Sequence, residues 1–212
     1  VVRRADRGSQ PLWGPFTSRR AATRAAIVVA EAFGLRQCSG ALLRHPDGCP
    51  LAEMGRCSAP CLDPDVDYST IVDRVRLAMT GDVRDLTDLL AKRIAQLSTA
   101  ERFEEAAEFT NDAKEVLRAT RRRSRLVSLA SCPQIVAARR DGAFWEIHVI
   151  RHGRLAGAGR CRLGTDPMPV IGAVCATAES VCPPPSGLPA CTIEEAELVA
   201  SWFEEPGVRL VD

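Results

Sequence analysis

The chain has 212 residues, a formal net charge of +1 and an apolar fraction of 46%. An apolar fraction of this size is typical of a globular protein with a buried core, and the small net charge excludes nucleic-acid binding through a global positive field. The longest apolar run lies within AAIVVAEAF and is shorter than the roughly 20 residues that cross a bilayer, so we expect no membrane span. The first residues, VVRRADRGSQ, lack a Met and a signal core, and we expect the chain to come from a longer protein.

Helical patterns dominate the first 125 residues. Ser18 is placed to cap a helix over RRAATRAAIVVAEAF, and Gly34 is placed to end it. A second helix is predicted from Tyr68 to near Gly81, and Asp82 is predicted to cap a third. In the first helix, the apolar residues expected to face the protein core are Ala26, Ile27, Ala30 and Phe33. In the third helix, they are Leu86, Leu89, Leu90, Ile94 and Leu97.

A further helix is predicted in residues 98–125, with acidic residues early and arginines late, which suits the helix dipole. Because only a few polar residues separate it from the preceding helix, the two are expected to form an antiparallel hairpin. The face expected to be apolar carries Phe103, Ala106, Ala107, Phe109 or Thr110, Ala113 and Leu117.

From Leu126 the pattern becomes typical of strands. The turn pairs Asp141-Gly142 and His152-Gly153 separate β-rich runs, which predicts a three-stranded antiparallel meander. A weakly amphipathic segment and a Pro-rich break follow, and then Thr192 and Glu195 form a capping box before a last helix and a short strand, VRLV. The predicted fold class is therefore α+β.

The sequence pattern predicts four segments. Residues 1–35 are expected to be a linker and a helix, residues 36–64 a cysteine-rich loop, residues 65–126 a helical segment with the hairpin, and residues 127–212 a small α+β domain.

Four of the nine cysteines lie within 24 residues, in the spacing C-x10-C-x7-C-x3-C. Turn-forming residues between them let the chain wrap, so four thiolates can converge on one tetrahedral centre. Structural zinc and a [4Fe-4S] cluster both accept four cysteines, and four independent thiols are the alternative. An odd number of cysteines, partly clustered and partly scattered, favours a reducing and hence cytoplasmic compartment over a disulfide framework. The four candidates are Cys38, Cys49, Cys57 and Cys61.

A basic run, RATRRRSR, follows the acidic part of the predicted hairpin. Its arginines are candidates for contacts with DNA phosphates, which add affinity without sequence preference, or they form an ordinary solvated helix end. His148 and His152 are interpreted as surface residues, and Trp145 and Trp202 as packing residues. The candidate DNA-binding residues are Arg118, Arg121, Arg122, Arg123 and Arg125.

The order of several motifs resembles the central part of the UvrC family of excinucleases. The motifs are Gly14-Pro15-Phe16, an apolar helix that ends in FGLRQC, the segment CSAPC, and FEEAA in the hairpin. They span roughly residues 13–117. This chain differs from the family at two positions after the Ala pair: it has Thr110-Asn111 where the family usually has Arg-Asp.

The resemblance implies that the four clustered cysteines ligate a [4Fe-4S] cluster, with zinc as the alternative. It also implies that the hairpin docks UvrB, the helicase of the same excinuclease system. The docking residues implied by the motif are Phe103, Glu104, Ala106 and Ala107.

No catalytic residues are recognised in this chain. The family's GIY-YIG nuclease domain precedes the GPF segment, and the only tyrosine, Tyr68, follows it. Residues 135–163 are faintly similar to the opening strands of the family's RNase H-like domain, without its acidic motif. The chain also resembles the C-terminal region of proteins in which a DEDDh exonuclease is fused to a UvrC-like segment. We therefore expect a non-catalytic region of a DNA-repair nuclease, and the alternative is a zinc-stabilised protein-interaction module without a DNA role.

Overall fold

The computed structural model describes residues 13–38 and 49–211. Within these ranges no helix is long and apolar enough to cross a membrane. The elements in chain order are α1 (Arg19–Phe33), α2 (Pro50–Glu53), α3 (Tyr68–Thr80), α4 (Arg84–Thr99), α5 (Phe103–Ser131), β1 (Ile135–Asp141), β2 (Phe144–Arg151), β3 (Arg154–Arg162), α6 (Met168–Thr177), α7 (Ile193–Phe203) and β4 (Arg209–Leu210).

The chain divides into two compact units. We call the described residues up to Arg122 the N-terminal unit and those from Arg123 onward the C-terminal unit. The fold class is α+β, with helices throughout the first unit and a sheet in the second.

Helix α1 begins and ends as predicted, but its buried face only partly matches the prediction. The Ser18 hydroxyl accepts a hydrogen bond from the backbone N–H of Ala21, and Gly34 ends the helix in the left-handed conformation. Of the four predicted core positions, Phe33 is buried and Ala30 is half-buried, whereas the prediction was wrong for Ala26 and Ile27, which are exposed. Helical spacing allowed a second set of apolar positions on the same helix, and packing against α3 and α4 buries that set instead of Ala26 and Ile27. The buried residues of α1 are Ala25, Val28, Val29 and Phe33.

Helices α3 and α4 confirm the predicted leucine-rich core, with one change at a helix start. Helix α3 ends at Gly81 as predicted. Helix α4 begins one residue later than expected, with Val83 rather than Asp82 at its N-cap. The Asp82 carboxylate still accepts a hydrogen bond from the backbone N–H of Arg84, at 3.3 Å. The predicted residues Leu86, Leu89, Leu90, Ile94 and Leu97 all belong to the core of the N-terminal unit.

Helix α5 follows α4 after only three residues and continues beyond the predicted end. Its first half contributes Ala106, Phe109 and Ala113 to the same core as α4. The pattern change expected at Leu126 is not a helix end, since Leu126 and Ala130 are buried on α5, at 1% and 6% exposure. Burial of these two apolar residues favours the longer helix, despite the β-rich residues that follow them.

The C-terminal unit contains a four-stranded antiparallel sheet in the order β3-β2-β1-β4. The predicted meander and both of its turns are confirmed. The predicted final short strand also forms, as β4, and it joins the sheet by pairing with β1 through Ala137 opposite Leu210 and Ala138 opposite Arg209. The pairing of β2 with β3 shifts register at Val149 and Ile150.

Helices α6 and α7 pack on opposite faces of this sheet. Gly157 and Gly159 of β3 approach α6 closely, and Val174 Cγ2 lies only 2.5 Å from where a Cβ of Gly159 would stand. On the other face, the His148 ring lies 4.3 Å from the Trp202 ring of α7. The predicted capping box forms by half, because the Thr192 hydroxyl accepts from Glu195 N, whereas the Glu195 carboxylate accepts from Leu155 N instead.

Candidate metal centre and interaction surfaces

The segment after α1 lies beside the segment that carries Cys57. The backbone N–H of Ser58 donates to Gly34 O at 2.8 Å, and the Gln37 side-chain amide donates to Arg56 O at 3.1 Å. Gly34 has a φ of 68°, and a Cβ on it would stand 3.2 Å from Ser58 N. The end of α1 therefore holds the segments containing Cys38 and Cys57 next to each other.

Arg36 lies close to two of the four cysteines. Its backbone N–H donates to the Tyr68 hydroxyl at 2.9 Å, which ties this segment to the start of α3. Its guanidinium Nε donates to Cys38 Sγ at 3.0 Å, and Cys61 is close enough to interact electrostatically. The hydrogen bond to Cys38 is the main cause that raises the pKa of Arg36 above its ordinary value. A guanidinium in this position offers thiolate ligands a compensating positive charge.

The other cysteines lie at turns and at a helix start. Cys49 precedes α2 at its N-cap position, and Cys57 Sγ accepts a hydrogen bond from Ala59 N at 3.3 Å. All four cysteines are free thiols. Within residues 13–38 and 49–211, no three His, Cys, Asp or Glu side chains stand together as a metal site. His45, which lies inside the cysteine segment and is a possible substitute ligand, and the rest of residues 39–48 lie outside the described residues. Four thiols are donors that fit either a [4Fe-4S] cluster or zinc. In the described part of the chain, however, the sulfur atoms are not gathered into a metal-binding site.

A charge network joins the cysteine segment to α1 and α4. Glu31 on α1 is 8% exposed and pairs with Arg93 of α4 at 2.6 Å and with Arg56 at 2.9 Å. Arg56 directly precedes Cys57. At the start of α5, Glu105 pairs with Arg102 and also interacts electrostatically with Arg56 and Arg93. The hydrogen bond from Arg102 is the largest cause that lowers the pKa of Glu105. The network therefore extends from the cysteine segment to the α4–α5 connection.

The predicted docking residues lie at the start of α5, and most of them face solvent. Phe103 is 64% exposed although it is aromatic, and Glu104 and Ala107 are also exposed. Ala106 is 6% exposed and packs in the core shared with α4. Ala106 therefore supports the helix rather than the surface, while the other three residues form a surface that a partner can reach.

The predicted DNA-binding arginines differ in how free their guanidinium groups are. Arg118 pairs with Glu115, and Arg122 donates to Pro15 O at 3.4 Å. Arg125 lies 3.0 Å from Glu204, and burial lowers the pKa of Arg123. Arg121 is exposed. The five residues are thus not equivalent candidates for phosphate contacts.

The two histidines of the C-terminal unit are not ordinary surface residues. His148 is half-buried against Trp202, and this burial lowers the pKa of His148. The His152 ring nitrogen Nδ1 lies 2.9 Å from Ala130 O, and its backbone N–H donates to Cys132 O. Sequence reasoning missed both, because their contacts come from residues distant along the chain. The sequence does carry a local signal for the contacts of the cysteine segment: an arginine lies close to each of two cysteines, Arg36 near Cys38 and Arg56 next to Cys57.

Comparison with known proteins agrees with the order of motifs in the chain. Residues 1–78 match the family model of the UvrC/Cho excinuclease middle domain. The chain is 34% identical, over 93% of its length, to a putative bifunctional exonuclease/endonuclease of Mycobacterium tuberculosis. This chain is homologous to the UvrC family. Two UvrABC system C proteins illustrate it: that of Edwardsiella ictaluri is 32% identical over 74% of this chain, and that of Proteus mirabilis 28% over 69%.

The homology to UvrC confirms the resemblance stated from the motifs and extends it into the C-terminal unit. The chain spans 32% of the mycobacterial protein, 27% of the Edwardsiella protein and 25% of the Proteus protein. It therefore corresponds to a region of these relatives. No solved structure matches the chain.

Proposed function

We propose that this chain is a non-catalytic region of a UvrC-like DNA-repair nuclease acting in nucleotide excision repair. In this role it holds a [4Fe-4S] cluster, docks a protein partner and contacts the DNA backbone. The observation that carries the proposal is the pairing of the two cysteine segments by Ser58 and Gly34, with Arg36 hydrogen-bonded to Cys38. The homology of residues 1–78 to the UvrC/Cho middle domain supports it.

The cluster would be held by Cys38, Cys49, Cys57 and Cys61. When bound, it supplies a four-thiolate cross-link between segments that are distant in sequence. The chain's own residues prepare this site: Gly34 lets the segment after α1 turn back, and Arg36 offsets the negative charge of thiolates. The network of Glu31 fixes Arg56, the residue before Cys57.

Docking would use the exposed residues at the start of α5. Phe103 presents an aromatic side chain that is 64% exposed, beside the exposed Glu104 and Ala107. Exposed aromatic side chains are typical of residues that dominate protein interfaces. The partner that the family resemblance implies is the helicase UvrB.

Contacts with DNA would come first from Arg121, which is exposed on α5. Arg118, Arg122 and Arg125 would assist only when their present contacts give way to phosphates, and Arg123 is partly buried. Such contacts bind backbone phosphates without sequence preference and weaken as salt is raised.

Metal analysis of anaerobically purified protein tests the cluster. We expect about four irons per chain and a brown protein. Cys57→Ser should lose the iron, whereas Cys182→Ser, an exposed cysteine outside the cluster segment, should keep it. A colourless protein with one zinc per chain would show that the site binds zinc and not an iron-sulfur cluster. Iron retained in Cys57→Ser would contradict the assignment of the ligands.

Docking is tested by a pull-down with purified UvrB. Phe103→Ala should abolish the interaction, since it removes the exposed aromatic side chain without touching the core. Leu77→Ala, another exposed apolar residue of the N-terminal unit at 59% exposure, is the matched control and should bind normally. Equal capture of the wild type and Phe103→Ala would contradict the docking role.

A further inference from the structure

One end of the sheet in the C-terminal unit carries an aromatic residue among arginines. The strand register places Arg139, Glu146 and Arg160 in one row and Asp141, Phe144 and Arg162 in the next. Because side chains alternate along a strand, both rows project from the same face. We call these six residues the sheet-end surface.

Phe144 is the apolar centre of this surface. It is 40% exposed although the rest of β2 is largely covered, and the Arg160 guanidinium lies 5.7 Å from its ring centroid. Farther along the same face, Trp202 of α7 covers His148. Within the described residues, the sheet-end surface is not covered in this way. Because Phe144 is exposed there, a ligand with a flat apolar group can reach its ring.

The arginines of the surface exceed its carboxylates. Glu146 pairs with Arg139 at 2.9 Å and lies 3.4 Å from Arg160, which also pairs with Asp141 at 2.6 Å. Arg139 also pairs with Glu205. Arg162 is exposed, and the described part of the chain gives it no carboxylate partner. The surface thus offers one uncompensated cation, Arg162, beside Phe144 and a second, Arg160, whose pair with Asp141 is exposed and contributes little stability.

We propose that the sheet-end surface binds single-stranded DNA, with a base stacked on Phe144 and backbone phosphates paired with Arg162 and Arg160. A flat aromatic group between cations matches the alternation of bases and phosphates in a single strand. In a duplex the bases are already stacked on each other, so Phe144 would have no base to contact. The proposal rests on the proposed DNA role of the chain and adds a site separate from the α5 arginines.

Fluorescence anisotropy of the full chain with a labelled oligothymidine of about 15 nucleotides tests this site. Phe144→Ala should weaken binding at least about fivefold, because base stacking on an aromatic side chain contributes affinity. Phe144→Trp should keep it, since the larger ring also stacks. Arg162→Gln should weaken binding and make it less sensitive to salt between about 50 and 200 mM.

Two controls separate this site from general effects. Leu198→Ala changes an exposed apolar residue, 73% exposed, on α7 of the same unit and should leave binding unchanged. Arg121→Gln tests the α5 contact in the same assay. If Arg121→Gln weakens binding while Phe144→Ala and Arg162→Gln do not, the sheet-end site is wrong and the proposed DNA role stands. If wild-type protein does not bind the oligonucleotide but binds duplex, the single-strand proposal is wrong, and if it binds neither, the DNA role itself fails.

Discussion

Glu31 on α1 and Arg93 on α4 form a buried ion pair in the N-terminal unit. Arg93 donates from both Nε and Nη2 to Glu31 Oε1, at 2.9 and 2.6 Å, and the side chains of Arg93 and Glu31 are 14% and 8% exposed. The second oxygen of Glu31 accepts from Arg56, whose own Nε is buried without a hydrogen bond among the described residues. One carboxylate therefore compensates two arginines on separate segments.

Glu31→Ala should lower the free energy of unfolding by about 3 kcal/mol, because it leaves Arg93 buried without its counter-ion. Chemical denaturation followed by circular dichroism measures the loss. Asp73→Ala is the matched control, since it breaks the exposed pair with Arg76 and should cost less than about 1 kcal/mol. Equal losses in the two variants would show that burial of the Glu31 pair is unimportant.

Gly159→Ala should destabilise the C-terminal unit by about 1–3 kcal/mol. Its new Cβ would stand 2.5 Å from Val174 Cγ2, and a β-branched side chain on α6 has few other rotamers. Thermal unfolding of the variant measures the effect, and adding Val174→Ala should recover part of the stability.

Gly172→Ala is the opposite case in the same helix–sheet pair. A Cβ at Gly172 meets nothing within 4 Å, and alanine favours helix over glycine by about 1 kcal/mol. This variant should therefore raise the melting temperature. If Gly159→Ala and Gly172→Ala shift the melting temperature in the same direction, the close approach of α6 to β3 is not the cause.

Arg151 should be important for the end of α6. Its guanidinium donates to the carbonyl oxygens of Cys175, Ala178 and Glu179 at 2.9–3.1 Å, and to Gln134 Oε1. Arg151→Lys should lower the free energy of unfolding by about 2 kcal/mol, because one ammonium cannot reach all of these oxygens. Hydrogen exchange of the last turn of α6 should increase in this variant. Unchanged exchange would mean that these carbonyls do not depend on Arg151.

His148 should make the C-terminal unit less stable in mild acid. Burial against Trp202 lowers the pKa of His148 below its ordinary value of 6.5, so the unfolded chain takes up a proton before the folded chain does. Stability is therefore fully present above pH 6.5 and falls as the pH drops through that value toward the lower folded pKa. Denaturation monitored by tryptophan fluorescence at several pH values measures this slope.

His148→Phe keeps a ring against Trp202 and removes the titrating group. In this variant the part of the pH dependence near and below pH 6.5 should disappear. A slope identical to that of the wild type would assign the pH dependence to other groups.

Helix-capping and turn-forming residues predicted the positions of the helices and strands well. Ser18, Gly34 and Gly81 mark helix ends in the structure, and Asp141-Gly142 marks the first turn of the sheet. These features act within a few residues of themselves, so the sequence alone carries the information. The same holds for the order of motifs that pointed to the UvrC family. The metal ligands, the docking surface and the α5 arginines remain predictions.

The sequence by itself determined where most of the helices and strands occur and which family the chain resembles. Only the tertiary structure decided which face of α1 is buried, how far α5 continues, and which strand β4 pairs with. It also brought Glu31 to Arg93, residues far apart along the chain. The reason is physical: propensity and capping are local, whereas burial and ion pairing depend on partners that only the folded chain supplies.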